Sequence, residues 1–202
     1  MKKLDPISEN EMIAVFLKTE IKSERWSNDI LKLLDQDRVE RKMIDYPNLL
    51  NDDENRYRKE LLGAFRGYNK NRLLFEDFPE DIKWFRVLLS KDDIGEVKYM
   101  RYSYWNELSK QTRLPRVAAG EIKSGHEVFG VSNDGFWEAV VVMQNGVGFP
   151  EMILVAKNQS SDLVMLEGHK RITAFFLAPE LIPNELEVIV GYSENMKAWG
   201  GY

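Results

Sequence analysis

Cysteine is missing from all 202 residues, which excludes disulfides, thiolate metal sites and cysteine nucleophiles. Histidine occurs only twice, as His126 and His169. With no H-E-x-x-H or similar spacing around either, no metal-ligand set is predicted. Long apolar runs are missing too. The stretches 139–143 and 172–178 are among the longest, and both are far too short to cross a bilayer. Behind Met1-Lys2-Lys3-Leu4-Asp5-Pro6 no apolar segment follows, so nothing there reads as a signal peptide. The expectation is a cytoplasmic protein with no membrane partner. Nor is there an excess of positive charge. Lys and Arg number 28 against 33 Asp and Glu, a net charge of −5, which argues against wholesale binding to nucleic acid or an anionic surface. Walker A, Rossmann and G-x-S-x-G patterns are likewise absent.

What is present suffices for a core: 44% of residues are hydrophobic and 11% aromatic, well outside the disordered range. The predicted class is α+β, with an N-terminal helical region over 1–112 and a smaller mixed α/β domain over 113–202. In the first stretch Met12, Ile13, Phe16 and Leu17 recur at helical spacing, as do Trp26, Ile30, Leu33 and Leu34. Asn51 followed by Glu54 is a capping signal for a helix carrying Tyr57, Leu61 and Phe65 on one stripe. The following Arg66-Gly67-Tyr68-Asn69-Lys70-Asn71-Arg72 reads as a solvated helix end, against the competing reading that it reaches over a ligand. Pro79 suits the first turn of a further helix burying Ile82, Phe85 and Leu89. Tyr99, Tyr102, Tyr104 and Trp105 read as a core contact rather than a base-stacking platform. From Arg113-Leu114-Pro115 onward glycines multiply and short β-prone runs replace amphipathic ones. Met152–Ala156 and Leu163–Leu166 read as a strand pair, 170–177 as a helix stopped by Pro179, and Leu186–Val190 as a closing strand.

The turn Glu167-Gly168-His169-Lys170-Arg171 joins a buried strand directly to a helix. The first amides of a helix lack internal partners and carry partial positive charge. Here no Ser, Thr, Asp or Asn stands at the cap. Open donors beside Lys170 and Arg171 make a cradle for phosphate oxygens, and Gly168 lets a ligand approach the backbone closely. Ile172, Phe175 and Phe176 are expected to face the core, leaving Arg171 and Thr173 directed at the mouth.

Strand, Gly168, Arg171, Ala174 and helix, preceded by Gly148-Phe149-Pro150 and an apolar strand, resemble the phosphate-binding box of the ParB/sulfiredoxin-like superfamily over about residues 113–192. The resemblance implies a nucleotide, ATP or another with Mg²⁺, held through Gly168, His169, Lys170, Arg171 and Thr173. It also implies Glu127 as a general base matching that of the kinase-like members, and Glu167 as a contact to Mg²⁺ or substrate. Sulfiredoxin chemistry is excluded, since its cysteine position is occupied by His169. Operator binding is not expected, because no helix-turn-helix segment follows Tyr192. Two functions are carried forward: a small-molecule phosphotransferase or phosphate-ligand binder, and a non-catalytic interaction protein that uses its N-terminal helical region as partner surface.

Overall fold

The computed structural model describes residues 1–202 and is an α+β fold: nine α-helices and one five-stranded mixed sheet. The sheet order is β1 (Lys2–Pro6), β2 (Lys83–Ser90), β5 (Glu185–Tyr192), β3 (Met152–Ala156) and β4 (Val164–Glu167). All pairs are antiparallel except β3 with β5. β3 is buried along its whole length, as a Met-Ile-Leu-Val-Ala run with helices on both faces requires. Its alternation divides the core. Ile153 and Val155, with Ile189, Val164, Leu166 and Trp84, face a layer containing α1 (Glu9–Glu20), α2 (Ser27–Gln36), α3 (Lys42–Asp45) and α4 (Asp52–Arg66). Met152, Leu154 and Ala156 face the other layer, built from α5 (Lys91–Glu96), α6 (Ser103–Leu108), α7 (Pro115–Lys123), α8 (Asp134–Gln144) and α9 (His169–Leu177).

Local chemistry accounts for the helix starts. Ser8 caps α1 by accepting from the Glu11 amide at 3.1 Å. Asn51 caps α4 through the Asp53 and Glu54 amides, as the sequence predicts, and Ser90 with Asp93 forms a reciprocal capping box on α5.

Three expectations are corrected. The helix expected to start at Pro79 gives way to the strand β2, in which Phe85, Val87 and Leu89 alternate toward one layer while Trp84, with Ile82 just before the strand, meets the other. Period two prevails over the helical spacing of 82, 85 and 89 because all eight residues pair with β5. The short β-prone runs expected from Arg113 onward do not begin there. The span opens with α7, whose Pro115 occupies the first turn, and continues with α8, in which Phe136 and Val140 are buried. Finally, the first stretch is not helical throughout, since β1 and β2 extend the same sheet as β3–β5. No helix is long and apolar enough to cross a membrane.

Candidate functional site

The β4–α9 corner forms where β4 ends against the start of β3. Gly168 takes the left-handed conformation, φ 114°, and caps α9 with no side-chain hydrogen bond. A Cβ there would stand 2.8 Å from Cγ of Met152. Gly168→Ala is therefore expected to cost about 1–3 kcal/mol through backbone strain and overlap; a urea midpoint unchanged from wild type would refute that.

Around the corner, side chains take places the sequence only partly anticipates. Arg171 is 5% exposed and turned inward. Its Nη2 donates to Glu167 Oε1 at 2.9 Å and its Nη1 to the Pro150 carbonyl. The second Glu167 oxygen accepts from the Gly168 amide. Arg171 thus staples the corner to Pro150, two residues before β3, instead of standing at the mouth. Thr173 is completely buried; its hydroxyl donates to the His169 carbonyl at 2.7 Å and also meets the Tyr99 hydroxyl. It cannot reach a ligand, because the helix turns it into the aromatic core. Gly168 and Glu167 are likewise occupied with each other. No side chain caps the first turn of α9, formed by His169, Lys170 and Arg171.

His169 is half-buried within an aromatic stack. Trp105 lies 4.8 Å from it at 12° and stacks on Tyr99 at 4.7 Å. Its Nε2 is buried without a partner. Burial, then the charges of Arg66 and Arg171, push its pKa down to about 3, so the ring is neutral at physiological pH. Lys170 is exposed, and its amine lies over Gly135 in the first turn of α8, where a Cβ would sit 2.6 Å from Nζ.

Two further charged groups arrive from the opposite layer. Glu20, in the last turn of α1, is 6% exposed. Arg66 closes α4, with its Nε 3.3 Å from Glu20 Oε1. The Arg66 guanidinium sits over the Trp26 ring, 4.7 Å from the centroid, and Arg25 lies equally close to the same indole. Burial raises Glu20 to about 7, with Arg66, Arg25 and Arg171 opposing and Glu167 adding to the rise. Arg25, Arg66 and Arg171 thus stand against Glu20 and Glu167, and the corner is net cationic. Sequence reasoning does not place Glu20 here, and for Arg66 it prefers a solvated helix end over the competing reading that the segment reaches over a ligand. A signal existed: Glu20 follows Ile13 and Phe16 by seven and four residues on a buried helical stripe, where a carboxylate is out of character.

Glu127 is not brought to this corner. It is exposed, and its charge acts on Tyr104, which Trp105 separates from His169. His126 is also exposed on that loop, with its carbonyl accepting from Asn133 at 2.9 Å. For Mg²⁺ the residues do not fit: both Glu167 oxygens are engaged, and no group of three or more His, Asp or Glu side chains could hold a metal ion. The aromatic stretch divides. Tyr99 is buried core, Tyr104 and Trp105 are half-buried, and Tyr102 is 47% exposed. Compared with protein-family models, curated proteins and solved structures, the chain shows no match.

Proposed function

We propose that this protein, as a ParB/sulfiredoxin-like member, binds a nucleotide or another phosphorylated small molecule at the first turn of α9. The observation that carries this is the uncapped, glycine-led helix start beside a cluster that holds Arg25, Arg66 and Arg171 against Glu20 and Glu167. Helix amides and arginine forks are the groups that hold phosphate oxygens. The amides of His169 and Lys170, with the side chains of Lys170, Arg66 and Arg25, are the contacting groups; Arg171 and Glu167 set the turn's shape. No phosphoryl-transfer step is assigned, since Glu127 stands apart and Glu167 is engaged.

A thermal-shift series with phosphate, pyrophosphate, ATP, ADP, CTP and GTP tests this. A ligand at a hundred times its Kd adds about 2.7 kcal/mol to apparent stability, read as a rise of roughly 5–10 °C in Tm for a chain of this size. Lys170→Ala, an exposed change, should leave the unliganded melt in place and weaken binding roughly tenfold, or about 1.4 kcal/mol. A melt that no anion moves would refute the proposal and favour the non-catalytic interaction protein. For that reading the exposed apolar side chains lie less in the N-terminal helices than along 129–149, where Phe129, Val131, Trp137, Val141, Val147 and Phe149 are all at least 41% exposed.

A further inference from the structure

We propose that Glu20 and Arg66, contributed by the opposite helical layer, form the second wall of this anion site and couple it to a proton: an anion at the first turn of α9 takes Arg66 from Glu20, and Glu20 is protonated as the anion binds. The inference rests on the phosphate-binding reading above and adds to it a linked proton and two residues.

The pair is poorly satisfied as it stands. Glu20 is 6% exposed, yet its carboxylate accepts no hydrogen bond. Arg66 Nε lies 3.3 Å away but out of line, and it is itself buried without a hydrogen-bond partner. A buried carboxylate without donors is costly, and its place in the last turn of α1 sets it against the negative end of the helix dipole. Arg66 has no other ion pair, and its guanidinium sits over the Trp26 ring, 4.7 Å from the centroid. That planar fork suits bidentate binding of phosphate oxygens. The groups facing Glu20 are Arg66 from α4, Arg25 from the α1–α2 connection, and Glu167 and Arg171 from the β4–α9 corner. Arg171 is already committed to Glu167 and Pro150, so Arg66 and Arg25 are the charges an arriving anion can recruit. Once it does, Glu20 keeps its burial but loses its nearest counter-charge. Its acid form is then favoured, and one solvent proton converts carboxylate to carboxylic acid with no other bond changed.

Proton counting tests this on the full chain. Pyrophosphate is titrated calorimetrically at pH 8 in two buffers of different ionisation enthalpy, with the ligand's own protonation subtracted. Wild type should take up close to one proton per anion bound. Glu20→Gln should bind at least as tightly with no uptake. Arg66→Met, which serves if Glu20→Gln fails to fold, should bind at least tenfold more weakly and also without uptake. Binding by wild type with no proton uptake, or with the same uptake in Arg66→Met, overturns the proton linkage while leaving the phosphate site intact. Absence of pyrophosphate, phosphate and nucleotide binding overturns both.

Discussion

Arg171→Ala is expected to destabilise the protein by about 3–5 kcal/mol, the range for removing one partner of a buried ion pair, and so to lower Tm by roughly 10 °C or more. The cost has three sources. Glu167, whose side chain is 16% exposed, would lose its counter-charge and keep only the Gly168 amide. The Pro150 carbonyl would lose its donor, and the volume of a nearly buried guanidinium would be left empty beneath Phe149. Arg171→Lys should fall between, since an ammonium keeps the charge but cannot fork between Glu167 and Pro150. The double variant Glu167→Gln with Arg171→Met should be less damaging than Arg171→Ala, because it removes both charges instead of stranding one. Lys170→Ala is the control, with an expected change within about 0.5 kcal/mol for an exposed site. Urea unfolding at pH 7.5 decides the matter: an Arg171→Ala midpoint within about 1 kcal/mol of wild type would show that Arg171 is not the staple. Loss of ligand binding in Arg171→Ala would therefore report folding, and the functional test belongs to Lys170 and Arg66.

The parts of the fold legible in the sequence are those where local pattern and tertiary demand agree. Asn51 caps α4, the apolar run 152–156 is a doubly covered strand, and Gly168 breaks β4 into α9. Legibility fails where one signal has two uses. Proline opens a helix at Pro115 but at Pro79 only precedes β2, and nothing within the local pattern distinguishes them; the distinction is the pairing of β2 with β5, a contact made across about half the chain. Val140-Val141-Val142 favours strand by propensity, yet packing Phe136 and Val140 against α9 makes it helix. At the candidate site, the residues of the β4–α9 corner are legible as neighbours because they are contiguous. Arg66 closes α4 and by sequence is a solvated helix end, but the fold brings its charge to bear on Glu20 and His169. Helical spacing directs Arg171 and Thr173 to the mouth because it gives a direction around the axis without saying which direction is buried; here the sheet covers one side and Tyr99 the other.

The second large effect is on pH dependence, and the two titrating groups His169 and Glu20 act with opposite sign. His169 has a folded pKa lowered from 6.5 to about 3. Below pH 6.5 the unfolded chain binds a proton that the folded chain refuses, so stability is full above 6.5 and is lost as pH falls toward 3. Each unit of pH is worth about 1.4 kcal/mol, and the loss by pH 4.5 is roughly 3 kcal/mol. Glu20 has a folded pKa raised from 4.5 to about 7. The folded chain binds the extra proton, so stability is greatest below 4.5 and falls as pH rises through 7, by about 3 kcal/mol in all. Between pH 4.5 and 6.5 the two slopes oppose each other, and wild type should show little net dependence from this pair. The variants separate them. His169→Phe keeps the stacked ring and removes the titration: relative to wild type it should gain about 3 kcal/mol between pH 8 and 4.5. Glu20→Gln should change the other way, gaining stability relative to wild type as pH rises from 5 to 9 by a similar amount. Urea unfolding of all three proteins at pH 4.5, 6.5 and 8.5 reads both slopes. If the His169→Phe difference stays constant across that range, the imidazole is not held neutral by the fold. A constant Glu20→Gln difference would likewise mean that Glu20 is charged at every pH and that the cationic corner, rather than burial, governs its ionisation.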